Sequence, residues 1–130
     1  MSIADALLWS GVLFWLMIVL AATLKYRAWS LQGLGMLMSN REEAPSVSRL
    51  AARADRAAMN MLENLVLFIA IAAAVYFSSA ESDQTELGAA IFFWARVAYW
   101  PIFLAGIPGV RTATWFVSVI GIGIMAAELI

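Results

Sequence analysis

The stretch Arg49–Ser78, RLAARADRAAMNMLENLVLFIAIAAAVYFS, opens as a charged helix and closes as a membrane span. Pro45, followed by Ser46 and Ser48, reads as its start, because Pro is favoured at a first helical turn and Ser at an N-cap. From about 57 to 78 the residues are apolar except for Asn60, Glu63, Asn64 and the closing Ser78. A helix from near Pro45 to Ser78 is longer than a bilayer is thick, so its first two or three turns stand in headgroups or water.

Three more apolar runs flank it, at about 3–24, 87–107 and 113–130. Each is close to the ~20 residues that cross a hydrocarbon core. Four such spans take about 80 residues. That agrees with an apolar content of 64% and only 13% charged residues in a chain of 130. The expectation is a single all-α domain, an integral membrane four-helix bundle. Composition excludes disorder and nucleic-acid binding. With no Cys and no His, disulfides, thiolate nucleophiles, zinc sites and Ser-His-Asp triads are excluded, and no metal site is expected.

The connections order the spans. Residues 79–86 read as an acidic loop, and Gly106-Ile-Pro-Gly-Val-Arg111 as a Gly/Pro turn, so spans two, three and four are antiparallel neighbours. The first connection, about 25–46, is longer and polar. Lys25, Arg27, Arg41, Arg49, Arg53 and Arg56 flank it, and Arg111 falls on the same side. The opposite side carries Asp5, Glu81, Asp83, Glu86 and Glu128 without a Lys or Arg. The positive-inside rule puts the first and third connections in the cytoplasm and both termini outside. Trp and Tyr near span ends form an aromatic belt, Pro101 predicts a kink, and Gly121 and Gly123 invite close helix approach.

Three polar residues within spans need partners: Asn60, Glu63 and Arg96. Counting residues at 1.5 Å each puts Glu63 and Arg96 both about 15 Å deep. Equal depth and opposite charge predict a Glu63–Arg96 pair. Arg49, Arg53, Arg56, Asn60 and Glu63 are spaced 4, 3, 4 and 3 apart, one stripe less than about 100° wide. Three guanidiniums in the interface suit a carboxylate or phosphate. Arg49 and Arg53 also suit snorkelling to headgroups. Lipid cannot satisfy the deeper residues, so they face protein, either the protomer's own core or a neighbouring subunit.

The run Arg53-Ala-Asp-Arg-Ala-Ala-Met-Asn60-Met-Leu-Glu63-Asn64 resembles the signature of the MAPEG family, the membrane-associated proteins in eicosanoid and glutathione metabolism. Ala95-Arg96-Val-Ala-Tyr99-Trp-Pro-Ile-Phe103, with Gly106-Ile-Pro and Arg111-Thr, is similar to the family's third helix and following turn. Small bacterial members are similar in length and in all four spans, which implies a bacterial inner membrane. The resemblance further implies a left-handed bundle assembled as a homotrimer, with glutathione between subunits. By position, Arg53, Arg56, Asn60, Glu63, Arg96 and Tyr99 are its expected cofactor-binding residues. Arg111 and Arg27 are the expected catalytic residues that ionise the thiol. Asn64 and Phe103 stand where family enzymes often have Tyr, and Arg111 matches with a one-residue shift.

The resulting expectation is a glutathione-dependent transferase or peroxidase acting on lipophilic electrophiles. The competing one is a non-enzymatic membrane module that binds lipid or a partner protein, its polar ladder serving assembly.

Overall fold

The computed structural model describes residues 1–39 and 47–130, and among these every regular element is a helix. In chain order they are α1 (Ile3–Tyr26), α2 (Leu31–Met38), α3 (Arg49–Phe77), α4 (Asp83–Ala105) and α5 (Pro108–Ala127). All except α2 are long and apolar enough to cross a membrane. The all-α, four-helix membrane bundle expected from composition is the fold observed.

Helix starts follow local hydrogen bonding more closely than hydropathy. At α1, the Asp5 amide donates to Ser2 Oγ (3.0 Å) and the Ser2 amide to Asp5 Oδ2 (3.2 Å). This reciprocal box satisfies two of the donors a helix leaves open, and it explains a carboxylate inside an apolar run. In α3 the cap is Ser48, whose Oγ accepts from the Ala51 amide (3.1 Å). The start signal at Pro45 and Ser46, like Arg41, lies outside the described residues. At 29 residues, α3 is about 43 Å long against a ~30 Å hydrocarbon core. Roughly nine residues therefore project beyond the membrane.

Two starts differ from the hydropathy reading. Helix α4 begins at Asp83 rather than near Leu87, because Ser82 and Thr85 form a second capping box. Asp83 and Glu86 thus belong to its first turn, where carboxylates complement the helix dipole, and not to a loop. Helix α5 begins at Pro108 rather than Ala113, with the proline at the helix start that its fixed φ favours. Helix α4 continues through Pro101 and ends at Gly106, whose φ of 73° closes the turn.

The first connection contains an element that its polarity concealed. Helix α2 packs back onto the end of α1 so closely that a Cβ on Gly33 would collide with the carbonyls of Tyr26 and Arg27.

Packing centres on α3. It buries Ala54, Ala57, Met61, Leu65, Phe68 and Val75 against α1 and α4. The Phe68 and Phe92 rings stack at 4.2 Å and tie α3 to α4. Helices α4 and α5 meet backbone to backbone: a Cβ on Gly88 would stand 2.5 Å from the Gly121 carbonyl oxygen, and the reverse is equally true. Gly121 is therefore the close approach that the sequence predicted, while a Cβ on Gly123 would meet nothing within 4 Å.

Candidate functional site

The core-facing residues of α3 fix the direction of its polar stripe. At 100° per residue, Asn60 and Arg53 lie on the flank that turns toward α4. Glu63 lies about 60° further round than Asn60, nearly opposite the buried face. Its accessibility agrees: Asn60 and Arg53 are half-buried, whereas Arg49, Arg56 and Glu63 are exposed. The stripe thus straddles the edge of the protomer, one border inside and the other outside.

Arg96 of α4 meets the inner border. It is fully buried, at 0% exposure. Its Nη2 donates to Asn60 Oδ1 at 2.8 Å, and its Nε to Met61 Sδ at 3.4 Å. The guanidinium also lies over the Tyr99 ring, 4.1 Å from the centroid. The same Asn60 oxygen accepts from Asn64 Nδ2 (3.3 Å), which bonds the Asn60 carbonyl as well (2.8 Å).

The expected Glu63–Arg96 pair is absent among the described residues, and the reason is azimuth. Depth counting matched the two residues along the membrane normal, but one helical step of three turns Glu63 away from α4. Arg96 consequently holds a buried positive charge against an amide oxygen, a thioether and a ring, with Nη1 lacking a partner among the described residues. A buried charge without a counter-ion is costly, and an amide oxygen offsets only part of that.

Next to this network a cleft of about 450 Å³ opens between α3, α4 and α5. It is lined by Arg56 and Asn60 from α3, Tyr99 and Phe103 from α4, and Arg111, Thr112 and Trp115 from α5. Tyr99 and Phe103 touch at 5.4 Å between ring centroids, and the Arg111 guanidinium lies 5.0 Å over Phe103. Two cations, Arg96 and Arg111, thus sandwich an aromatic pair, which fixes all four side chains by packing. The lining carries two guanidiniums and no carboxylate, so the cleft is electropositive. Thr112 spends its hydroxyl on the Pro108 carbonyl (3.1 Å). Such a lining suits an anion, and it offers no thiol, imidazole or carboxylate of its own.

Of the expected binding residues, Arg56, Asn60 and Tyr99 share the cleft with the expected catalytic Arg111. Arg96 stands behind it, holding Asn60 and Tyr99. Arg53 does something else: its Nη1 donates to the Leu104 carbonyl (3.4 Å), and its guanidinium sits against Gly106. It satisfies the open C-terminal end of α4, as basic side chains there do. Glu63 faces away, and Arg27 lines a separate cavity at the end of α1. The sequence reading missed Phe103, Thr112 and Trp115 as cleft residues and Asn64 as a bonding partner. Spacing was the available signal, since Tyr99 and Phe103 on α4, and Arg111 and Trp115 on α5, are each four apart and share a face.

No curated protein and no solved structure matches the chain. A family model does: that of the MAPEG family matches residues 5–130, nearly the full length. A four-span bundle with this polar ladder on α3 thus belongs to the MAPEG family.

Proposed function

We propose that the protein is a glutathione-dependent transferase or peroxidase acting on lipophilic electrophiles, its cleft completed by a neighbouring copy in a homotrimer. The observation that carries this reading is the electropositive cleft shared by Arg56, Asn60, Tyr99 and Arg111. Its volume falls in the range of small-molecule sites, about 300–1,000 Å³. Its chemistry fits glutathione, which presents two carboxylates, an ammonium and an ionisable thiol. Glutathione is also the thiol with which the family is associated.

Arg56 and Asn60 bind the peptide's carboxylate and amide groups with charge-assisted and neutral hydrogen bonds. Arg96 is a positioning residue: it acts through Asn60 and Tyr99, which it holds by hydrogen bond and ring contact. Arg111, steadied on Phe103, places a positive charge where a thiolate is to be stabilised; a cation lowers a thiol's pKa. Glutathione, when bound, supplies the nucleophile that the lining residues lack.

Glu63 supports assembly. It is exposed on a helix at membrane depth, about 21 Å from the Phe77 end of α3. An isolated protomer would leave a carboxylate against acyl chains, at a cost of a few kcal/mol. A second copy against this face removes that cost and brings a carboxylate within reach of the glutathione ammonium.

Isothermal titration of the detergent-solubilised protein tests the reading. Glutathione binds the native protein with a constant below millimolar, and Arg56→Ala weakens binding by roughly 10- to 100-fold, the loss of one charge-assisted hydrogen-bond pair. Absence of binding at millimolar glutathione refutes it.

A further inference from the structure

The connection from α4 to α5 consists of Gly106 and Ile107 alone, between Ala105 and Pro108. A helix leaves its last carbonyls open. At this end the Gly106 amide donates to the Phe103 carbonyl (3.0 Å) and the Ile107 amide to that of Ile102 (3.4 Å). The next carbonyl, that of Leu104, accepts from Arg53 Nη1 of α3 (3.4 Å). The last turn of α4 has no basic residue of its own, so the cation that complements its dipole comes from another helix. Gly106 makes room for it. Its φ is 73°, and a Cβ there would stand 2.7 Å from Arg53 Cζ and 2.8 Å from Nη2. The guanidinium therefore occupies the face on which any other residue would place a side chain.

No side-chain cap holds the start of α5, since Ile107 makes none. The close contact of Gly121 with α4 lies about 15 Å further along the axis than Arg111. Among the described residues, three hydrogen bonds join α3 to α4: Arg96 to Asn60, Arg96 to Met61, and Arg53 to Leu104. Only the last reaches the turn from which α5 sets out. Arg53 is itself absent from the cleft lining, whereas Arg56, one turn further along α3, is part of it. The cleft's two guanidiniums, Arg56 on α3 and Arg111 on α5, thus belong to helices that Arg53 ties together just beyond them.

We propose that Arg53 is a positioning residue for the thiol end of the cleft. By clamping the α4–α5 turn onto α3, it sets the separation between Arg56, which takes a carboxylate, and Arg111, which faces the sulfur. Arg53 does this without touching the ligand. The inference rests on the glutathione reading above for what the separation accommodates, and on the turn alone for the clamp.

Two measurements on the full-length protein in micelles test this, one without ligand and one with it. Without glutathione, hydrogen exchange followed by mass spectrometry reads the turn. In Arg53→Met the amides of Gly106, Ile107 and Arg111 exchange roughly tenfold faster than in the native protein, the worth of one hydrogen bond to a charged group. Those of α1 keep their native rates, which separates a loosened turn from unfolding. Arg53→Lys keeps the charge and a donor, and it restores most of the protection. With glutathione bound, Arg53→Met raises the thiol's pKa by roughly half a unit and lowers kcat, while KM stays within about twofold. In an Arg111→Ala background it changes neither the thiol's pKa nor kcat. Equal exchange at the turn in native and Arg53→Met protein overturns the proposal, whether or not glutathione binds. So does a KM raised roughly tenfold with the thiol's pKa unchanged, which makes Arg53 a ligand contact. Failure of the native protein to bind glutathione overturns the function proposed above and not the clamp, which the exchange measurement decides by itself.

Discussion

Asn60 and Arg96 are hydrogen-bonded, yet replacing one or the other should have unlike consequences. Asn60→Ala removes the oxygen that accepts from Arg96 Nη2 at 2.8 Å. The guanidinium stays buried, with only the Met61 sulfur and the Tyr99 ring against it. Removing a hydrogen bond to a buried charged group costs about 1.5–3 kcal/mol. No other oxygen among the described residues accepts from this guanidinium, so the upper end, about 3 kcal/mol, is expected. Arg96→Met removes the charge and leaves a side chain of similar length. The lost ring contact, about 1–2 kcal/mol, is offset by the desolvation no longer incurred. The net change should be within about 1 kcal/mol of zero. In the Arg96→Met background, Asn60→Ala loses only the acceptor of the 3.3 Å bond from Asn64, about 1 kcal/mol. The double-mutant cycle therefore predicts a coupling of about 2 kcal/mol. Reversible unfolding in mixed micelles without glutathione, followed through the fluorescence of the six Trp residues, measures all four corners. If Arg96→Met is as destabilising as Asn60→Ala, or the two effects add, the reasoning is refuted, and Arg96 has a stronger partner than the amide.

Two further outcomes follow from the same geometry. Arg111→Ala should raise the pKa of bound glutathione's thiol by roughly one unit and lower kcat while KM changes little, since only the thiolate's partner is lost; thiolate absorbance against pH reads the first effect and steady-state kinetics the second. Gly121→Ala should destabilise the α4–α5 pair by about 1–3 kcal/mol, because its Cβ would stand 2.5 Å from the Gly88 carbonyl oxygen, and thermal unfolding in the same micelles reports it.

The spans were readable because membrane insertion imposes one rule, long apolar runs, on each of them separately. Their starts were less so. Asp83 and Glu86 look like loop residues on a hydropathy scale, and only the Ser82–Thr85 box makes them a helical turn. Helix α2 was hidden by the polar and glycine residues around it, although Gly33 is what seats it. The α3 ladder was fully legible, since its residues share one helix and periodicity relates them. What joins α3 to other helices was not. Counting residues gives depth but no azimuth, so Glu63 and Arg96 matched on paper while Asn60, about 60° closer to α4, takes the bond. The cleft takes its walls from α3, α4 and α5, and no single helix encodes it.

The central claim is that the α3 ladder straddles the protomer edge and that its outer border is covered by another copy. Site-specific photocrosslinking from position 63 in intact membranes tests this most directly. The account predicts a product of twice the protomer mass from position 63, with position 15, at the exposed Trp15 of α1, giving mainly lipid adducts. Lipid adducts alone from position 63, with no crosslinked protein, would contradict it.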